Sequence, residues 1–254
     1  MIIQVLASGS KGNCTYLSSN NTKILIDAGI NYTRLKNELN KIDVEPSSLD
    51  GILITHMHSD HTNGLSSIIK KVQIPVFAKK ELENDLKKIV PNEYLEIIDD
   101  EFIINDFKVE VINASHDVPA FGYIIESNNK SIMYLTDTGY INRKYYEKAK
   151  NKDAYIIESN HDEKMLMEGP YPYILKQRVI SDKGHLSNRY TGKFLNKTIG
   201  NNTKYIVLAH LSEKNNTPEL AYEQVSEEIE ETHFNKKKII IAKQYEETEL
   251  IEIW

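Results

Sequence analysis

The segment Gly51-Ile52-Leu53-Ile54-Thr55-His56-Met57-His58-Ser59-Asp60-His61 runs an apolar strand straight into four metal-capable side chains, His56, His58, Asp60 and His61. A strand that ends in a loop lets neighbouring side chains turn toward one point. Three imidazoles and a carboxylate suit zinc, manganese or iron better than calcium or magnesium, which prefer oxygen ligands. Coincidence is a weak account: with 8 His and 13 Asp in 254 residues, an H-x-H-x-D-H string arises at random with a probability of about 4 in 10,000.

Outward from that segment, the first half of the chain reads as short strands. They cover Ile2–Ala7, Thr15–Ser18, Lys23–Asp27, Gly51–Thr55, Val76–Ala78, Leu95–Ile98, Phe107–Ile112, Gly122–Ser127 and Ser131–Leu135. Short apolar runs rich in β-branched and aromatic residues, broken by turn formers, carry that reading. Asn128-Asn129-Lys130 marks a hairpin turn. Helices are expected over Tyr32–Lys41, Gly64–Lys71 and Lys80–Ile89. The second half alternates differently. A helix at Arg143–Lys150 and a strand at Ala154–Glu158 precede a long irregular or helical stretch, then a helix near Asn188–Lys197. A strand at Tyr205–Ala209, a helix at Pro218–Glu231 and strands at Lys238–Ala242 and Glu249–Ile253 close the chain. Many short strands with helices gathered in a few places predict an α/β fold of two packed sheets with helices outside, a four-layer αββα sandwich. Residues 1–254 are expected to form a single domain.

Composition bounds the function. Hydrophobic content of 40% and charged content of 27% are ordinary for a soluble globular protein. No apolar run reaches the roughly 18 residues needed to cross a bilayer, so no membrane partner is expected. Cys14 is the single cysteine; it cannot pair within the chain, which argues against a disulfide-stapled secreted protein and for the cytoplasm. A net charge of −6 on its face disfavours nucleic acid. Lys164–Lys204, however, holds eight basic and two acidic residues, a net of +6 that leaves −12 on the rest of the chain. A basic surface on an acidic body suits an anionic partner; the plainer reading is a solvated helix face.

One loop cluster cannot close two metal sites. The remaining ligands are expected at later strand ends, where His116 follows Val109–Asn113, Asp137 follows Ile132–Leu135 and His210 follows Tyr205–Ala209. A lone histidine in such a place is more often a surface or capping residue. Recurrence of the same placement after three strands is what points to a site.

Taken in order, Asp27, His56-x-His58-x-Asp60-His61, His116, Asp137 and His210 resemble the five motifs of the metallo-β-lactamase superfamily. The resemblance implies that His56, His58 and His116 bind one divalent metal and that Asp60, His61 and His210 bind a second. Asp137 would bridge them, and Asp27 would orient the ligand loop. Ser8-Gly9-Ser10-Lys11-Gly12-Asn13, Glu158-Ser159-Asn160-His161-Asp162, Gly184-His185-Leu186-Ser187-Asn188 and His210-Leu211-Ser212 with Asn215-Asn216 are together similar to the YycJ (WalJ) family. Those bacterial proteins are regarded as DNA exonucleases; Lys11 stands where a serine is common. The placement of Glu158 and His185 is also similar to the tRNA 3′-processing endonucleases, in which such a pair helps the leaving group depart.

Phosphodiester hydrolysis is then the expected reaction. Two zinc, manganese or iron ions with a bridging carboxylate hold a hydroxide nucleophile at neutral pH and neutralise phosphate charge. Asp60 and Asp137 count among the catalytic groups. His185 is expected to protonate the departing oxygen, with Glu158 fixing its tautomer; its bland reading is part of a helix start capped by Ser187 or Asn188. His161 either reaches the site or satisfies a loop carbonyl, and His233 reads as plain surface. DNA is the expected substrate, held without regard to sequence through Arg178, Lys183 and Arg189; attack from the 5′ end rests on the family resemblance alone. A small-molecule phosphodiesterase or thioesterase is the enzymatic alternative. A regulatory protein with a vestigial site is the non-enzymatic one, against which the complete ligand set argues.

Overall fold

Successive residues of a strand face opposite sides of its sheet, and the central strands of this chain are apolar on both. The computed structural model describes residues 1–254 and contains two seven-stranded sheets. The first has the order β14 (Ile251–Glu252), β1 (Ile2–Ala7), β2 (Cys14–Ser18), β3 (Lys23–Ile26), β4 (Gly51–Leu53), β5 (Val76–Lys79) and β6 (Leu95–Ile98). The second has the order β13 (Ile239–Ile241), β12 (Tyr205–Ala209), β11 (Ala154–Glu158), β10 (Lys130–Leu135), β9 (Phe121–Ser127), β8 (Phe107–Asn113) and β7 (Glu101–Ile104). One set of alternating residues, including Ile125, Ile132, Tyr134, Ile156 and Val207, joins the core shared with the first sheet. The other set, including Ile124, Met133, Leu135, Ile157 and Leu208, packs under Phe194, Leu195, Ala221 and Val225 of the helices Asn188–Thr198 and Pro218–Glu228. The helices Tyr32–Asn40 and Leu65–Val72 contribute Leu35, Leu39, Ile68 and Ile69 to the core of the first sheet. The expected αββα sandwich is the observed one.

Strand direction decides where the site can be. β3 to β6 run parallel, as do β10 to β13, and β8 runs with β10 because both are antiparallel to β9. Strands that share a direction bring their C-terminal ends to one edge, where ligand sites of α/β sheets form. Asp27, Asp137 and His210 immediately follow β3 and β12 or stand two residues past β10, each with a left-handed backbone (φ 63°, 55° and 56°). A non-glycine residue in that region carries strain that clusters at functional sites.

The departures from expectation are local. The sequence reading omits β7, a four-residue edge strand with alternating exposure and too little apolar pattern to mark it. Over Lys80–Ile89 the expected helix shortens to a tight turn at Lys80–Leu82 and one helical turn at Glu83–Leu86. Arg143–Lys150 likewise divides into Arg143–Tyr145 and Tyr146–Ala149. The long stretch after β11 resolves into helices Glu163–Glu168 and Tyr173–Ile180. The hairpin turn falls on Asn128 and Asn129 (φ 51° and 60°), with Lys130 already paired to Ser127. Two left-handed residues give the twist a two-residue hairpin needs.

Gly29 ties the β3 exit to the metal loop. Its N–H donates to the Asn13 carbonyl at 2.8 Å, while the Asn13 N–H donates to the Asp60 carbonyl at 2.7 Å. A Cβ at Gly29 would lie 1.7 Å from the Asp60 carbonyl oxygen. Gly29→Ala is expected to lower stability by about 1–3 kcal/mol or more, the range for overpacking, and to displace Asp60. Urea unfolding checks the first effect and metal content the second; an unchanged urea midpoint would show that the loop yields freely.

Candidate metal centre

The loop after β4 turns four ligands, His56, His58, Asp60 and His61, inward because its backbone is held from behind. Asp27, fully buried, accepts from the Thr55 N–H and hydroxyl at 2.8 Å each, and His61 Nδ1 donates to its carboxylate at 2.6 Å. His56 Nδ1 donates to the Thr55 hydroxyl at 3.0 Å, leaving Nε2 buried with no hydrogen-bond partner. Asn13 Nδ2 reaches both Asp60 (3.0 Å) and His61 Nε2 (2.9 Å). From the second sheet, His116 Nδ1 donates to the Gly184 carbonyl at 3.2 Å, and His210 Nδ1 donates to Glu158 at 2.8 Å. His210 Nε2 and Asp137 Oδ2 are buried and unpartnered.

Unpaired buried polar atoms are rare and need a reason. Here they converge. One potential ligand atom each from His56, His58 and His116 lie within 4.8 Å of one another, and so do those of Asp60, His61 and His210. Asp137 groups with His56 and His61, between the two triads. Imidazole nitrogens with carboxylates suit zinc, manganese or iron, and His56, His61, His116 and His210 are each oriented through the other nitrogen as metal ligands are. The residues therefore fit a centre of divalent ions. A further grouping of Asp137, Glu158, His185 and His210 is better read as a hydrogen-bonded cluster, because His185 Nδ1 and His210 Nδ1 both lie 2.8 Å from the same Glu158 oxygen.

The charge balance of the protein alone has the same sense. Burial pushes the His56 and His116 imidazoles below their ordinary range, keeping them neutral. Burial opposes charge on His61 too, but Asp27 and Asp137 outweigh it and hold His61 well above that range. At His210 burial is overcome by Asp137 and by hydrogen bonds to Asp60 and Glu158, raising it to about 10. Despite burial, His210 and His61 keep the Asp60 and Asp137 carboxyls well below the usual carboxylate range. His185 is raised because Glu158 outweighs its burial.

A cavity of about 190 Å³ opens beside the cluster, lined among others by His116, His185, His210, Tyr171, Arg178 and Lys183. A larger hollow of about 620 Å³ lies on the outer face of β7, β8 and β9, but it is rimmed by Glu101, Glu110 and Glu126 and contains no imidazole; its size does not locate chemistry. Arg178 pairs with Asp117, and Lys183 has no ion pair. Arg189 is not brought to the cavity: it lies on Asn188–Thr198 and pairs with Glu228 (3.4 Å) and Glu227 (3.7 Å). Lys193 and Lys197 line a separate hollow with Tyr146 and Tyr190, and Lys204 bonds the Trp254 carbonyl. The basic segment is thus contiguous in sequence but divided among several surfaces. His233 is exposed, as expected. His161 is buried, pushed down to about 4 by burial, and its carbonyl accepts from Asn188 N–H at 2.9 Å; it is outside every ligand grouping.

Sequence reasoning passed over Asn13, Thr55 and Asp117 as site residues. Asn13 and Asp117 lie inside stretches singled out for other residues, and neither type announces itself without a partner in view.

Comparison with known proteins agrees with this geometry. A model of the β-lactamase superfamily domain matches residues 22–210. Exodeoxyribonuclease YycJ of Bacillus anthracis is 36% identical over 237 residues, covering 91% of this chain and 89% of the relative. Exodeoxyribonuclease WalJ of Streptococcus pneumoniae serotype 2 is 38% identical over 230 residues, covering 86% of this chain and 84% of the relative. The chain belongs to the metallo-β-lactamase superfamily, in its YycJ/WalJ family. The crystal structure of the metallo-β-lactamase fold protein YhfI from Bacillus subtilis superposes with a TM-score of 0.76 at 15% identity over 99% of both chains, a likeness of fold. As a member of that superfamily the protein is a metal-dependent hydrolase. No helix is long and apolar enough to cross a membrane.

Removing Asp137, whose ligand atom groups with those of both triads' members His56 and His61, is expected to deplete metal. Asp137→Ala should lose most of its bound zinc or manganese by elemental analysis, with hydrolysis falling in parallel. Wild-type metal content in that variant would remove Asp137 from the centre.

Proposed function

We propose that the protein is an exonuclease of DNA, acting on phosphodiester bonds at a centre of two divalent ions. His56, His58 and His116 would hold one ion and Asp60, His61 and His210 the other, with Asp137 between them and residues 1–254 acting as one domain. The supporting observation is the pairing of two complete ligand triads with a cation-rimmed cavity that contains His185. Ions held there supply Lewis-acid stabilisation of phosphate charge and activate water. DNA rather than RNA rests on the likeness to the exodeoxyribonucleases of Bacillus anthracis and Streptococcus pneumoniae; attack from the 5′ end rests on the family resemblance alone.

The protein's own groups have separable tasks in this reading. Glu158 binds His185 Nδ1 at 2.8 Å, which fixes the tautomer and directs Nε2 away from the buried carboxylate. The His185 side chain is about a fifth exposed (21%) and lines the cavity, so Nε2 can deliver a proton to the departing oxygen. Lys183 contacts a phosphate without reading a base. Arg178 shares the rim, and Arg189, tied to two glutamates, takes no part.

Digestion of end-labelled DNA and RNA, single- and double-stranded, with manganese or zinc tests the proposal directly. Stepwise release of nucleotides from DNA is expected; hydrolysis confined to a small chromogenic phosphodiester would turn the reading to a small-molecule phosphodiesterase. His185→Ala should keep its metal and lose roughly 10²–10⁴-fold in turnover, the usual weight of a general acid. Loss of metal from that variant would make His185 a ligand instead. Lys183→Ala should flatten the dependence of DNA binding on log salt by about one unit, while Arg189→Ala leaves it unchanged. A slope altered equally by both would return the whole basic segment to the interface.

A further inference from the structure

Five histidines supply the two triads, and four are oriented by buried partners already described. Thr55 holds His56, Asp27 holds His61, the Gly184 carbonyl holds His116 and Glu158 holds His210. In each case one ring nitrogen is occupied and the other faces the cluster. His58 is different, because beyond the neighbouring imidazoles of His56 and His116 no buried group holds its ring. Its Nδ1 faces His116 Nε2 at 3.4 Å, and its Nε2 lies 3.3 Å from Asp117 Oδ1. The same oxygen lies 3.3 Å from His116 Nε2. Asp117 is bonded on its other oxygen by Arg178 of the helix Tyr173–Ile180.

We propose that Asp117 is the positioning residue of His58, and that Arg178 positions Asp117. In this arrangement Asp117 accepts the His58 Nε2–H, which fixes the tautomer and leaves Nδ1 as the ligating nitrogen. The proposal rests on the metal-centre reading above and adds to it a carboxylate outside both triads. Physical context sets Asp117 apart from the other four anchors. Asp27 and Glu158 are wholly inaccessible, whereas the Asp117 side chain is 30% exposed and its cationic partner 57% exposed. The helix that carries Arg178 also presents Tyr173 and Ile174 to solvent at 70% and 84% exposure. One ligand of the three-histidine set is therefore held from the cavity mouth by a solvent-facing helix, while the rest are held from the core. Arg178 lines the cavity as well, so an anion arriving there competes with Asp117 for the same guanidinium.

Metal affinity of the full-length protein tests this without recourse to turnover. Zinc or manganese alone is titrated into metal-free protein by equilibrium dialysis with elemental analysis, and the thermal midpoint of each metal-free variant reports folding. Asp117→Ala is expected to weaken one of two ions 10–100-fold, the range for removing a ligand's outer partner, and to leave the other ion unchanged. Asp117→Asn keeps a carbonyl acceptor for His58 Nε2–H and should stay within a few-fold of wild type. Arg178→Ala should shift the same ion as Asp117→Ala by a smaller factor, and Arg178→Lys should restore part of it. Wild-type affinity for both ions in Asp117→Ala and Arg178→Ala overturns the proposal while the metal centre stands. Equal damage from Asp117→Asn and Asp117→Ala also overturns it, because a ligating carboxylate rather than an acceptor is then required. If Asp117→Ala fails to fold, the two Arg178 variants decide the matter by the same criterion. Wild-type protein that takes up neither metal overturns the centre itself, and with it this role for Asp117.

Discussion

Three carboxylates, Asp27, Asp137 and Glu158, have side chains that are almost wholly inaccessible at the edge where the two sheets meet. An uncompensated buried charge costs several kcal/mol even after relaxation. Most of what surrounds the centre answers that constraint. Asp27 accepts from Thr55 and His61, and Glu158 accepts the Thr138 and Leu186 N–H groups at 3.0 and 3.1 Å as well as two imidazoles. Asp137 keeps one oxygen without a hydrogen bond, with His61 Nε2 3.2 Å away. Within the protein these neighbours hold the His61 and His210 imidazoles above their ordinary range. A divalent ion held by these residues would offset the buried carboxylates without a proton.

The sandwich can carry this edge because the layers behind it are apolar throughout. β10, β11 and β12 are buried on both faces, between the core shared with the first sheet and the core under the outer helices. Such strands have few alternative registers, since a one-residue slip would exchange their inward and outward sets. Rigid strands fix the Cα positions at their ends, and hydrogen bonds to single ring nitrogens fix the rotamers. The left-handed backbone at Asp27, Asp137 and His210 is tolerable in that setting, where surrounding structure over-determines the conformation.

The same physics explains what was legible in the sequence. Parallel strands align their C-terminal ends, so metal-capable residues that repeatedly follow apolar runs could be placed together before any coordinates. His56, His58, Asp60, His61, His116, Asp137 and His210 are found within reach of one another for that reason. Charge along a helical stretch carries no such rule. Arg178 and Lys183 reach the cavity, whereas Arg189 and Lys193 face other surfaces, because helices and the turn between them distribute consecutive residues around the compass. Asp117 was invisible for a third reason. Its role depends on two partners 59 and 61 positions away, and no local pattern encodes an aspartate's partner. β7 was missed because an exposed edge strand has only a weak apolar alternation to read.

Cavity size bears on the kind of substrate. The space beside the metal ligands is open rather than enclosing: about 190 Å³ lies at His185 and His210, and a shallow hollow of about 460 Å³ shares His116 and Lys183 with it. A small molecule bound there would leave much of its surface in water and gain little from the apolar burial that usually supplies its affinity. A polymer does not need enclosure. Its terminal phosphodiester can enter while the remaining chain lies along the outer surface, where Lys183 and the solvent-facing helix Tyr173–Ile180 are available to charged backbone. Affinity then comes from contacts spread along the substrate, and the hollow selects position rather than identity. In the proposed reading, the rigid set of ligands at the strand ends would set the geometry of bond cleavage, and the exposed helix at the mouth would accommodate a chain that advances after each cut.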